Sequence, residues 1–141
     1  MLAIMIRLAK FILLIFAGLL IILLSSRIQH VPPPQAGEYY YSGFLRNNYT
    51  VLTACIFLIA GLLIGYYLKW NPWLSGISLI SIFPITAFYE ATVYRGSHNM
   101  IPFELVIYLL WSAPAIAGIY LGRFISDKVA ILKGSKKNSN T

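Results

Sequence analysis

Of 141 residues, 59% are hydrophobic and only 11% charged, against about a quarter charged in soluble domains. That balance excludes a soluble core of this size and an intrinsically disordered chain alike. The net charge of +7 does not indicate nucleic acid, because the basic residues sit at the ends of apolar runs rather than on one folded polar surface.

The first apolar run, Phe11 to Ser26, is short for a span of roughly 20 residues. Lys10 and Arg7 can snorkel and Leu2 to Ile6 can extend it, so a helix is expected over 9–27. The same pattern fits a cleaved signal peptide, but Leu24-Ser25-Ser26 followed by Arg27 lacks a small-x-small cleavage site, which favours a retained anchor. From Gln29 to Tyr49 a loop is expected. Its Val31-Pro32-Pro33-Pro34 run reads as extended, polyproline-like chain. The aromatic cluster Tyr39, Tyr40, Tyr41, Phe44 and Tyr49 reads as an interfacial belt or, alternatively, as a docking surface for a partner.

No charge interrupts the chain between Arg46 and Lys69, between Lys69 and Glu90, or between Glu104 and Arg123. These stretches predict helices over 50–68, 73–92 and 102–124. The second helix contains a lone Cys55, which allows no intramolecular disulfide, and the pair Gly61 and Gly65 in GxxxG spacing. Lys69-Trp70-Asn71-Pro72-Trp73 predicts a tight turn, making helices two and three an antiparallel hairpin. Pro84 and Pro114 fall mid-helix and predict kinks in helices three and four. Gly118 and Gly122 repeat the GxxxG pattern on the fourth. Each glycine pair lies on one helical face and suits close helix approach, within the chain or in a homo-oligomer. Gly134 to Thr141 is polar and reads as a disordered tail.

The expected fold is therefore an all-α integral membrane four-helix bundle over residues 1–132, with a cytoplasmic tail over 133–141. Arg7, Lys10, Lys69, Arg123, Lys128, Lys133, Lys136 and Lys137 fall on one side and Arg27, Arg46 and Arg95 on the other. The positive-inside rule then places both termini in the cytoplasm of a multi-pass cell-membrane protein.

One constellation stands out. Glu104, Tyr108, Trp111, Ala115, Gly118 and Gly122 recur every three or four residues along helix four, and Gly76, Ile80, Phe83, Ala87, Glu90 and Tyr94 do so along helix three. An acid facing lipid is costly, so both stripes should face the bundle interior. The hairpin connection puts Glu90 and Glu104 at similar depth, near Tyr94, Arg95, Ser97, His98 and Asn99. Glu90 paired with Arg95, and Glu104 at a helix N-terminus, make a purely structural site. The same group could instead hold a cation, a proton or a polar headgroup. His98 with the two acids offers metal-donor types without a regular ligand spacing, so neither metal nor cofactor is expected.

The segment Ser97-His98-Asn99-Met100-Ile101-Pro102-Phe103-Glu104 resembles the Ser-His-Asn-x-x-Pro-x-Glu stretch of small, uncharacterised bacterial multi-helix membrane proteins. Tyr94-Arg95-Gly96 stands where those often carry Asp-Pro-Thr. The resemblance implies a bacterial membrane protein and assigns no activity. No nucleophile–base pair, HExxH, Gly-rich loop or nucleotide motif is visible. The expected function is a non-enzymatic structural or accessory membrane protein, with lipid bilayer and protein partners rather than nucleic acid. The alternative is a small-ion, proton or lipid-headgroup binding or transport protein built on the Glu pair.

Overall fold

The computed structural model describes residues 2–37 and 39–138, with side chains at 4–37 and 39–132. Regular structure among them is entirely helical: α1 (Leu2–Gln29), α2 (Tyr40–Asn48), α3 (Val51–Tyr67), α4 (Pro72–Ile80), α5 (Ile82–Val93), α6 (Ile101–Trp111) and α7 (Ala113–Asn138).

Two stretches are long and apolar enough to cross a membrane, Ile4–Gln29 and Ile101–Leu132, the second running through α6 and α7. At 1.5 Å per residue each exceeds the roughly 30 Å hydrocarbon layer. Two further pairs qualify only if each bent pair is one span: α2 with α3, bent by 81°, and α4 with α5, bent by 45°. The surface agrees with a lipid environment. Leu13, Phe16, Leu20 and Leu24 on α1 and Phe103, Val106 and Leu110 on α6 are all more than half exposed, a density of bare apolar side chains that soluble monomers avoid.

The expected kinks are present as breaks just ahead of each proline. Pro84 lacks an N–H and its ring crowds the carbonyl of Ile80, so the helix stops at Ile80 and restarts at Ile82. The second break falls at Ser112, two residues before Pro114. Each break residue bonds back into the preceding turn, Ser81 Oγ to the Ile77 carbonyl at 2.9 Å and Ser112 Oγ to that of Leu109 at 2.6 Å. Such back-bonding bends helices.

The most extensive helix pairing joins α3 and α7, and glycines explain it. A Cβ on Gly61 would lie 2.3 Å from the Ala115 carbonyl oxygen, and one on Gly65 2.1 Å from that of Ile119. Reciprocally, a Cβ on Gly118 or Gly122 would lie 2.1 Å from the carbonyl oxygen of Leu58 or Leu62. The four glycines thus alternate along one seam, each admitting the opposite backbone. Both GxxxG faces are covered inside the chain. Gly18 does the same for α1 against Leu79 of α4. Phe57, Phe83, Ile22, Leu79, Ile80 and Ile119 form the buried centre.

Two expectations need correction. The loop over 29–49 is not all irregular: Ser42, Leu45 and Asn48 are three residues apart and buried together on α2, so the segment folds as a short helix with one inward face. The tail is not disordered from residue 133, because α7 continues to Asn138; residues 139–141 lie outside the described residues.

Candidate functional site

Glu90 sits in the last turn of α5 and is completely buried. Its carboxylate is surrounded by donors from the amino end of α2. The backbone N–H groups of Tyr41 and Ser42 donate to Oε1 at 2.5 and 3.2 Å, and the Ser42 hydroxyl donates to Oε2 at 2.5 Å. First-turn N–H groups have no partner within their own helix, so an acid placed there satisfies them and meets the positive end of the helix dipole. The glutamate that caps α2 is supplied by α5.

His98 completes the shell. Its Nε2 lies 3.1 Å from Glu90 Oε2 and its Nδ1 2.8 Å from Glu104 Oε2, with the ring itself buried. The backbone at His98 is left-handed, φ 54°, a conformation histidine adopts more readily than most residues. Around it, Gly96 also has positive φ, at 93°. Ser97 Oγ donates to the carbonyls of Glu90 and Tyr94, and the Ile101 N–H donates to the His98 carbonyl. Tyr39 presents its ring edge-on to the imidazole at 5.0 Å. Glu104, in the first turn of α6, also accepts from the Tyr108 hydroxyl at 3.3 Å and lies 3.7 Å from an Arg46 guanidinium nitrogen.

The two acids therefore share one imidazole, one on each nitrogen. A neutral ring has one donor and one acceptor nitrogen, so the cluster calls for one further proton, on the ring or on a carboxyl. The arrangement is unsuited to a metal. The ring nitrogens point away from each other, and no group of three His, Cys, Asp or Glu side chains among the described residues converges on one point. Ser42, His98 and Glu104 are strung in the order of an acyl-transfer triad. The Ser42 hydroxyl nevertheless gives its proton to Glu90 and is only 4% exposed.

Of the residues singled out in the sequence, Glu90, His98 and Glu104 are brought together. Tyr94, Arg95 and Asn99 are exposed, and Arg95 forms no ion pair among the described residues. The cation beside the acids is Arg46, delivered by α2. The inward stripes hold in part: Gly76, Ile80, Phe83, Ala87 and Glu90 are buried, as are Tyr108, Ala115, Gly118 and Gly122, whereas Glu104 and Trp111 are half-buried and Tyr94, the outer end of the helix-three stripe, is exposed. Ser42 and Arg46 were not foreseen as site residues. Their spacing of four on one face of a short helix is the signal that could have found them.

A second polar cluster, also unforeseen, ties α1 to the start of α3. Ser25 Oγ and Thr53 Oγ1 lie 2.6 Å apart, Gln29 Nε2 donates to Ser25 Oγ at 2.5 Å, and Thr50 Oγ1 donates to Gln29 Oε1 at 2.6 Å. Thr53 also donates to the Asn48 carbonyl, closing the 81° corner. Beside it the Tyr49 ring stacks on Trp111 at 4.3 Å and its hydroxyl donates to the Trp111 carbonyl at 2.6 Å.

No family model, curated relative or solved structure matches the chain.

Proposed function

We propose that the protein is a non-enzymatic, four-span bacterial inner-membrane protein, with both termini cytoplasmic, that serves as a structural or accessory subunit of a membrane complex. In this reading each bent helix pair is one span. The Glu90–His98–Glu104 cluster locks α2 and the 94–100 loop into a rigid outward-facing cap for a partner. The observation that carries it is the enclosure of Glu90: both carboxylate oxygens are occupied by donors from the chain itself. That arrangement holds elements together and leaves little for a passing ligand. The segment with the bacterial resemblance, Ser97 to Glu104, is the one that supplies the lock's histidine and second acid.

Topology is tested in a Cys55→Ala background by single cysteines at Asn99 and Ser139, which should react with an impermeant thiol reagent from opposite sides. Reaction from one side rejects the four-span arrangement. The accessory role is tested by extracting the native membrane in mild detergent and sizing the complex that holds the chain. A particle containing only this chain and detergent rejects it.

A second reading has one specific observation in its favour, the proton that two acids and one imidazole must share. It makes the cluster a proton-binding site. Proteoliposomes loaded with a pH-sensitive dye should then show a flux that Glu90→Gln abolishes. Equal traces for the two proteins exclude it.

A further inference from the structure

At the end of the molecule opposite the Glu90 cluster, α1, the α3–α4 turn and the start of α4 line an open cavity of about 490 Å³. Arg7 and Lys10 enter it from α1, three residues apart and so on one helical face, and Trp70 bounds it from the α3–α4 turn. The Lys10 ammonium stands 4.9 Å from the Trp70 ring centroid. The turn that carries Trp70 is itself fixed. Lys69 has φ 49°, and Arg123 Nη2 donates to the carbonyls of Lys69 and Trp70, each at 2.5 Å.

The charges in this cavity are uncompensated. Among the described residues neither Arg7 nor Lys10 meets a carboxylate, and Asp127, the acid at this end, is taken by Lys69 at 2.9 Å. Two cations in a concave site with low-dielectric walls focus a field that attracts an anion. The walls also have a direction. One turn deeper along α1 come Phe11 and Leu14, faced by Leu74 of α4, so the cationic mouth leads onto an apolar track. A free phosphate would use the mouth and leave the track empty.

We propose that this cavity binds an anionic phospholipid, its phosphate between Arg7 and Lys10 and an acyl chain along Phe11 and Leu14. The proposal rests on the membrane reading above, not on the accessory role. Topology and interfacial anchoring account for Arg7, Lys10 and Trp70 separately. They do not account for the three meeting around one hollow.

The test uses the full chain in detergent, titrated with phosphatidylglycerol, with phosphatidylcholine or with inorganic phosphate, and read by native mass spectrometry. Phosphatidylglycerol adducts should persist where phosphatidylcholine adducts do not, and inorganic phosphate should not displace them. The double variant Arg7→Gln, Lys10→Gln should bind roughly thirty-fold more weakly, the loss expected for two basic residues at an anionic headgroup. Lys128→Gln, a cation at the same end outside the cavity, should bind as the parent does. Equal binding of the two lipids, an equal loss in Lys128→Gln, or full displacement by phosphate overturns the proposal. If the double variant loses its helical signal, the exposed Arg7→Gln alone decides, and unchanged binding by that variant overturns the site. Failure of the chain to resist alkaline extraction from vesicles would reject the membrane reading instead.

Discussion

Replacing Gly65 with alanine adds a single methyl group, yet it falls where the α3–α7 seam has no room. The new Cβ would lie 2.1 Å from the Ile119 carbonyl oxygen and 2.8 Å from that residue's carbonyl carbon and Cα, all backbone atoms. Ordinary contact begins near 3.4 Å, so the helices must part locally by about 1.3 Å, a gap that forfeits roughly half the dispersion energy of the atoms it separates. Overpacking of this kind costs about 1–3 kcal/mol. Gly122→Ala, whose Cβ would meet the Leu62 carbonyl oxygen, should cost a similar amount. The double variant should cost clearly less than the sum. Once the helices have separated for one methyl the other already fits, and residues sharing a contact do not behave additively. Gly43→Ala is the control: its nearest neighbour would be the Tyr39 Cβ at 3.8 Å, and removing a glycine from a helix interior should gain about 0.5–1 kcal/mol. Unfolding in mixed micelles, followed by circular dichroism, measures all four. Parental stability for Gly65→Ala and Gly122→Ala, or strict additivity in the pair, would refute the interlocked seam.

Glu90→Ala should destabilise more than Glu90→Gln, because alanine strands the buried N–H of Ser42 and the part-buried N–H of Tyr41, at about 1–3 kcal/mol for a buried unsatisfied group, whereas glutamine keeps an oxygen to accept from them; the same micelle titration ranks the two, and the reverse order would remove Glu90 as the cap of α2. Arg95→Ala should be neutral within about 0.5 kcal/mol, and Arg46→Ala should lose no more than about 1 kcal/mol, as suits a half-exposed ion pair; a large effect at Arg95 in thermal melts would restore it as the partner of the acids. Tyr49→Phe should cost about 1 kcal/mol through the lost bond to the Trp111 carbonyl, with the stacked ring retained and hence unchanged Trp fluorescence. A shifted emission spectrum would mean that the hydroxyl, not the ring, positions the pair.

The helical stretches were legible because an apolar environment imposes a simple rule: uncharged runs of sufficient length, ended by Arg, Lys or Glu; two of them, Ile4–Gln29 and Ile101–Leu132, are long and apolar enough to cross a membrane. The predicted helix over 50–68 differs from α3 by one residue at each end. Pro84 and Pro114 announced the breaks because an absent N–H is a property of the residue and needs no context. The inward stripes were legible for the same reason that Glu90 and Glu104 were: an acid has no tolerable place facing lipid. What failed was partner choice. Arg95 is close to Glu90 in sequence, but after a helix has ended, closeness in sequence says little about direction, and the chain turns Arg95 outward. The true partners arrive on α2, far earlier in the chain. That element escaped notice because Tyr40-Tyr41-Ser42-Gly43-Phe44-Leu45-Arg46-Asn47-Asn48 is polar, contains glycine and is only nine residues long, weak by every intrinsic measure of helix formation. Its helix depends on Glu90, a tertiary contact, and so is invisible locally.

The reciprocal seam between α3 and α7 carries a consequence for biosynthesis. A ribosome delivers the helices in order, and α1 can settle against α4 through Gly18 as soon as Leu79 has emerged. The groove at Gly61 and Gly65, by contrast, stays uncovered until residues 115–122 arrive. Glu90 likewise awaits His98 and Glu104 while it already holds α2. A nascent chain halted between Glu90 and His98 is therefore a half-closed intermediate, with a bare backbone groove and an acid whose histidine is missing, and one halted within α6 still has the bare groove. Such a chain presents insertion and quality-control machinery with features that the finished protein conceals. α7, made after the other described helices, is the one that covers the groove.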